Sequence, residues 1–305
     1  MVGGGSEVAT AAHSASPIQE ITRRARDLAQ HSYGAQMDLS EMTADKISAA
    51  AKTNAATYLS RIPNAADPAR RILVEYSGIA PDAVDAHIYE IRDKAWAVFP
   101  YGCIGSFSFL DLTAQAQDPR FRAVVDRLKA PGSAEAFLDV GCCFGHVIRQ
   151  LIVEGIPGGR LYGTDLQPRF LDLGYELFRD RAKSTATFLA GDMLKEDDSR
   201  LQGLDGKVDI IYASAFFHLF RREGQVRVAK RMVRFLNPDN PGVMIFGVNG
   251  GPKVPGWEDY VLDVETWQQM CREVGEATGT DWRTETDVED TDERITVRFA
   301  VYRAS

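Results

Sequence analysis

A short run at residues 137–145, FLDVGCCFG, has the residue types and spacing of a ligand-binding loop. Its apolar stretch ends on Asp139 and then breaks at Gly141 and Gly145. A dinucleotide-binding loop follows its first glycine with a second one two residues later, which lets backbone N–H groups close on a pyrophosphate. Cys143 holds that position here. The loop therefore predicts a ligand that passes close to the backbone but carries no pyrophosphate.

Two further acids end later apolar segments. Asp165, with Leu166 beside it, stands where a carboxylate takes both hydroxyls of a ribose. Asp192 can accept from an adenine amino group, and the backbone N–H of Met193 offers a donor to the ring. Together with Asp139, which can serve an ammonium group, these residues predict S-adenosylmethionine as the cofactor. Each acid taken singly is also typical of a helix cap, and that alternative stays open.

A histidine follows the fourth apolar segment, at the place where the substrate of such a site should lie. His218 could remove a proton from a hydroxyl group near neutral pH. Alternatively, it could orient its own turn through a bond to the backbone. His146, next to the cofactor loop, is expected to pack at the start of a helix.

An aromatic segment precedes the loop, at residues 95–110. Its rings could cover an apolar substrate and face a cationic sulfonium group. They could equally be ordinary core residues. The candidate substrate-binding residues are Trp96, Tyr101, Phe107 and Phe109.

The candidate cofactor-binding residues can lie close together only if the strands that carry them end at the same edge of a sheet. From Ala136 onward, short apolar segments alternate with amphipathic helices, which is typical of a parallel sheet with crossover helices. Two final segments joined by an acidic turn predict a hairpin and hence one antiparallel strand at the sheet edge. The predicted strands are 136–141, 159–165, 186–192, 208–214, 242–250, 282–290 and 294–304.

The chain is predicted to divide into three parts. Residues 1–16 are rich in Gly, Ala and Ser and are expected to be disordered. Residues 17–110 form an all-helical cap that covers the substrate, because their apolar residues recur at helical spacing. Residues 111–305 form the cofactor-binding domain. The fold class is therefore α/β, with a Rossmann-like, mostly parallel sheet and a helical N-terminal cap.

Composition limits the partners and the compartment. The formal charge of −8 argues against a nucleic-acid partner and favours a small hydrophobic substrate. The chain has neither a membrane-spanning apolar run nor the apolar segment of a signal peptide, so we expect a cytoplasmic protein with no membrane partner. Its four cysteines lack metal-ligand spacing, and no metal is expected. The oligomeric state is left open, with a homodimer as one option.

Several segments resemble the class I S-adenosylmethionine-dependent methyltransferases. More narrowly, they resemble the fungal secondary-metabolite methyltransferases of meroterpenoid and polyketide pathways, of the austinol type. The resemblance implies a seven-stranded sheet, a helical cap over the substrate, and methyl transfer to a hydrophobic intermediate, in the austinol-type case onto a carboxylate. The segments that carry it are 97–112, 137–145, 161–181, 188–194, 208–220 and 264–283.

Other reactions remain to be distinguished. A phenol or alcohol could be the acceptor, with His218 as its base. A protein of this fold could also keep the cofactor but cyclise or isomerise its substrate, because fold does not determine function. An oxidoreductase is disfavoured by Cys143 in place of the middle glycine.

Overall fold

A computed structural model describes residues 44–112, 118–253 and 262–304. The segment predicted to be disordered, 1–16, and residues 17–43 of the predicted helical cap lie outside the described residues. Within the described ranges, none of the helices combines the length and the apolar character that crossing a bilayer requires.

The N-terminal part of the described chain is helical, as expected. It contains α1 (Ala44–Asn54), α2 (Asp67–Glu75) and α3 (Val84–Val98), followed by a single turn at Gly102–Gly105. Pro68, near the start of α2, suits the first helical turn because its missing N–H group would have no intrahelical partner there.

On the inner face of α3, the row of buried residues continues at Ala95 rather than at its neighbour Trp96. Val84, Ile88 and Ile91 are buried, and Ala95 continues their row. Trp96 is half-buried beside this row. Its ring lies against the backbone at Gly105, where an added Cβ would come within 2.8 Å of the indole. The tryptophan therefore joins α3 to the single turn that follows it.

The C-terminal part is a seven-stranded sheet with strand order β3-β2-β1-β4-β5-β7-β6. Strands β1 to β5 run parallel to one another. The strands are β1 (Phe137–Val140), β2 (Leu161–Asp165), β3 (Thr187–Ala190), β4 (Ile210–Tyr212), β5 (Met244–Pro252), β6 (Trp282–Asp290) and β7 (Arg294–Arg303).

The predicted fold class is confirmed. The final hairpin supplies the antiparallel pairing, since β7 runs antiparallel to both β5 and β6. Strand β7 inserts between its two neighbours, so β6 forms the outer edge. That edge is exposed and rich in charge, which discourages pairing with another sheet.

Helices cover both faces of the sheet and bury two separate apolar layers. Helices α4 and α5 pack on one face, and α7 and α8 pack on the other. Helix α6 contributes Phe170, Leu173 and Leu177 to the core of the cap, which fixes the cap over the β1–β2 region. The helices are α4 (Pro119–Lys129), α5 (His146–Val153), α6 (Pro168–Phe178), α7 (Arg222–Phe235) and α8 (Val264–Thr278).

Candidate active site

The loop between β1 and α5 is held against the end of β2. The N–H groups of Gly141 and Cys142 both donate to the carbonyl oxygen of Thr164, at 2.8 and 3.0 Å. Cys143 lies in the left-handed region, with φ of 52°. The loop therefore keeps a fixed, strained path at the carboxyl ends of β1 and β2, where ligands bind in open α/β sheets.

The two predicted loop glycines have different surroundings. Gly145 (φ 66°) is buried, and an added Cβ would lie 2.4 Å from the ring of Phe188 and 2.5 Å from Nη1 of Arg149. Gly141 (φ 73°) is exposed, and its added Cβ would meet the ring of Phe216 at 2.7 Å. Packing within the protein thus requires glycine at both positions, and at 141 the backbone is also exposed and open to a ligand.

Asp139 is a buried carboxyl group without a hydrogen-bond partner in the described parts of the chain. It ends β1 with 4% of its surface exposed. Burial, and then the negative charge of Asp165, raise the pKa of Asp139 to about 8. A cationic group bound beside it would supply the missing partner and favour the ionised form.

Asp165 is half-buried and organises the neighbouring loops. Its Oδ2 accepts from the N–H of Cys143 and its Oδ1 from the N–H of Gln167, both at 2.9 Å. Burial raises the pKa of Asp165, and these backbone hydrogen bonds oppose that rise. A carboxylate has about four acceptor sites, so these two bonds leave capacity for hydroxyl groups. Leu166 is half-buried next to it.

Asp192 begins a tight turn after β3. Its Oδ1 accepts from the N–H of Leu194 at 2.9 Å, and its own N–H donates to Oδ2 of Asp198 at 2.9 Å. The side chain of Met193 is buried in the core, while no described residue accepts a hydrogen bond from its backbone N–H. For the predicted contacts with adenine, the Asp192 carboxylate therefore has one acceptor site occupied by Leu194, and the N–H of Met193 is available as a donor.

A buried ion pair stabilises the cofactor loop. The sequence analysis did not predict it. Arg149 in α5 is 1% exposed and binds Asp180 through two nitrogens, each at 2.9 Å. Its Nη1 also donates to the carbonyl oxygen of Phe144 at 3.0 Å. The hydroxyl of Tyr76, in the cap, donates to Asp180 at 3.0 Å. One network thus joins the cap, the cofactor loop, helix α5 and the segment after α6. An arginine within the apolar sequence HVIRQLIV was the available signal.

The four aromatic candidates divide into two pairs. Phe107 and Phe109 are each 2% exposed and belong to the core of the cap. Trp96 and Tyr101 are half-buried at the margin of that core. The rings of Phe109 and Phe144 are 4.7 Å apart, so the cap core reaches the cofactor loop. Substrate contact by these four residues stays a prediction.

His218 lies in the turn after β4, beside the end of β5. Its backbone N–H donates to Oδ1 of Asn249 at 3.0 Å, and its ring Nδ1 lies 3.1 Å from the same oxygen. Burial lowers the pKa of His218 to about 4, and the positive charge of Arg294 acts in the same direction, whereas the hydrogen bond to Oδ1 of Asn249 raises the pKa. The imidazole is therefore neutral at physiological pH.

His146 begins α5, as predicted for a residue that packs at a helix start. Burial lowers the pKa of His146 to about 4. Its Nδ1 is buried and lacks a partner among the described residues.

As for metals, no three His, Cys, Asp or Glu side chains within residues 44–112, 118–253 and 262–304 are grouped closely enough to hold an ion.

Comparison with known proteins gives two family matches. The family described as "Meroterpenoid methyltransferase N-terminal domain" matches residues 57–110, and the family described as "Methyltransferase domain" matches residues 137–239. The first match falls on the helical cap. The second begins at β1 and spans the cofactor loop, Asp165, Asp192 and the turn of His218.

Three fungal relatives show the extent of the likeness. O-methyltransferase atr3 of Stereocaulon alpinum is 40% identical over 237 residues, which are 74% of this chain and 67% of that protein. O-methyltransferase phiE of a fungal species is 42% identical and covers 70% of this chain and 73% of that one. The asnovolin E/chermesin D methyltransferase nvfJ of Aspergillus novofumigatus is 38% identical, with 70% and 78% covered.

Proposed function

Because the chain belongs to this family of fungal S-adenosylmethionine-dependent methyltransferases, we propose that it methylates a carboxylate of a hydrophobic secondary-metabolite intermediate and so forms a methyl ester. Transfer to oxygen is in keeping with the O-methyltransferases atr3 and phiE, and a secondary-metabolite acceptor is in keeping with nvfJ, an asnovolin E/chermesin D methyltransferase.

The residues at the strand ends fit S-adenosylmethionine. The buried carboxyl group of Asp139 lacks a donor from the described chain and would hold the ammonium group. Asp165 retains acceptor capacity for two ribose hydroxyls. The exposed backbone at Gly141 would allow close passage of the amino-acid tail. Asp192 and the N–H of Met193 would take the adenine.

The protein has a limited chemical task in this reaction. Bound S-adenosylmethionine supplies a methyl group on a positively charged sulfur. The chain has to place the acceptor oxygen in line with that methyl group and exclude water. The cap excludes water, because its core packs on α6 and reaches the loop at Phe144.

The observation that carries the carboxylate assignment is the state of His218. Its pKa of about 4 lies about six units below that of a phenol, so it is a weak base for a hydroxyl acceptor. A carboxylic acid is already ionised at neutral pH and needs no base. The positive charge of Arg294, which acts on His218, would also attract an anionic acceptor.

A phenol or alcohol acceptor is the second candidate, and one observation favours it. Oδ1 of Asn249 faces Nδ1 of His218, so the ring proton belongs on Nδ1 and the neutral ring carries its lone pair on Nε2. A histidine in this form can act as a general base. Because its pKa is low, however, His218 would remove the proton of a hydroxyl group only weakly. Methylation of a carboxylate requires no proton removal.

Product analysis tests the proposal. Purified protein and S-adenosylmethionine are incubated with prenylated benzoic acids and with prenylated phenols of matched size, and the products are analysed by mass spectrometry. We expect the acids to gain one CH₂ and the products to be cleaved by alkali, as esters are. Methylation of the phenols alone, as alkali-stable ethers, would contradict the carboxylate assignment. Products without a gain in mass would indicate cyclisation or isomerisation.

The remaining predictions about partners and compartment belong to the same proposal. A small-molecule acceptor, rather than a nucleic acid, is in keeping with the formal charge of −8. A cytoplasmic location is in keeping with four free cysteine thiols. Gel filtration coupled to light scattering would determine whether the protein is a homodimer.

A further inference from the structure

Asn249 is a buried amide in the second half of β5. Only 2% of its surface is exposed. Strand β4 pairs with β5 as far as Phe246, and the N–H of Ala215 then donates to the carbonyl oxygen of Val248 at 2.7 Å. Asn249 therefore lies just beyond the paired part of the two strands, next to the turn that carries His218.

The hydrogen bonds determine which atom of the amide faces His218. A backbone N–H group can only donate, so the atom 3.0 Å from the N–H of His218 must be the oxygen of Asn249. The same oxygen lies 3.1 Å from Nδ1, so that ring nitrogen carries the proton. The reversed amide would place two donors against each other.

This orientation leaves the other end of the amide without a partner. Nδ2 of Asn249 is buried and makes no hydrogen bond within residues 44–112, 118–253 and 262–304. Buried side-chain donors nearly always have a partner in native proteins, and an unsatisfied one destabilises the folded state. A ligand that accepts a hydrogen bond beside His218 would satisfy this donor.

Resting on the carboxylate acceptor proposed above, we propose that Asn249 binds that carboxylate through its Nδ2 and so determines the preference for acids. A carboxylate has two oxygens, so one can attack the methyl group while the other accepts from Nδ2. A phenol has a single oxygen, which cannot do both equally well. Through Oδ1, Asn249 also acts as a positioning residue for the ring of His218.

The substitution Asn249→Asp tests this role with little change in shape. Aspartate keeps an oxygen toward His218 but replaces the donor with a second acceptor and adds a negative charge. We expect KM for a prenylated benzoic acid to rise at least about 100-fold, while the Kd of S-adenosylmethionine changes less than about twofold. Gln202→Glu is the matched control, because it adds the same charge at an exposed position, and its KM should match the wild type.

An unchanged KM in Asn249→Asp, with acids still methylated by the wild type, would overturn the role of Asn249 and leave the proposed function intact. Failure of the wild type to methylate any acid would instead overturn the proposed function. If the variant does not fold, the wild-type side-chain amide resonance of Asn249 decides. The acid should shift it and the corresponding prenylbenzene, which lacks the carboxyl group, should not. An equal response to both compounds would contradict the proposal.

Discussion

The negative charge of Asp165, at the end of β2, acts on the carboxyl group of Asp139 in the adjacent parallel strand β1. Burial raises the pKa of Asp139, and the charge of Asp165 raises it further, to about 8. Within the described chain, Asp165 has two backbone N–H partners and Asp139 has none. The free protein therefore keeps an unsatisfied carboxyl group where the cationic end of the proposed cofactor would bind, at a cost in stability.

Asp139→Asn should have opposite effects on stability and on binding. Because the folded-state pKa is raised above the unfolded value, the group stabilises the fold at low pH, and this stabilisation is lost as pH rises from about 4 to about 8. Removing the charge should therefore stabilise the cofactor-free protein at pH 8, on the order of a few kcal/mol. The same change should weaken S-adenosylmethionine binding at least about tenfold.

Thermal unfolding and calorimetry at pH 5 and pH 8 measure both effects. In the wild type, affinity should rise with pH up to about 8, because binding requires the ionised carboxylate and releases a proton. The pH dependence should disappear in Asp139→Asn. A variant that is less stable than the wild type at pH 8, with unchanged affinity, would exclude Asp139 from the site.

Asp165→Ala should lose about 2 kcal/mol or more of binding energy for S-adenosylmethionine, because two charge-assisted bonds to ribose hydroxyls are lost. The variant also removes the acceptor that holds the N–H of Cys143. Asp197→Ala serves as the control, since Asp197 is an exposed acid in the same domain. Equal affinity of both variants by calorimetry would remove Asp165 from the site.

Asp180→Asn should destabilise the protein by about 3–5 kcal/mol, because it leaves the guanidinium of Arg149 buried without its counter-charge. The exposed pair of Arg181 and Asp172 offers a matched comparison. Asp172→Asn should cost no more than about 1 kcal/mol. Urea unfolding measures both, and similar losses in the two variants would contradict a structural role for the buried pair.

Much of the sheet could be predicted from the sequence. Buried parallel strands are nearly continuous apolar runs, and each observed strand overlaps its predicted segment. Strand β5 continues to Pro252 because the long β7 pairs with it to the end. Helix α4 was not predicted, since three arginines interrupt its apolar residues. The pattern of apolar segments and the resemblance both indicated seven strands.

The site could be predicted only in part. The acids at the ends of β1, β2 and β3 were recognisable from their position after apolar runs. Asp180 and Asn249 were not, because each acts through a partner 31 residues away that only the tertiary fold brings near. The pKa of His218 could not be foreseen either, because it depends on burial and on Arg294 from β7.

Methyl transfer should continue in the presence of EDTA, because the proposed reaction requires no metal. Initial rates are compared with and without the chelator, after dialysis against it. A rate that falls with EDTA and returns when Mg²⁺ is added would show that the reaction depends on a metal ion.

The rate of His218→Asn as a function of pH, at saturating S-adenosylmethionine and with an acid as acceptor, tests the central claim most directly. An ionised carboxylate needs no base, so we predict a loss of only a few-fold in kcat, from positioning, and little pH dependence above about pH 5. A loss of about 10² to 10⁴ in kcat, with cofactor affinity intact and the ionisation of His218 absent from the profile, would contradict the carboxylate assignment and identify His218 as the general base.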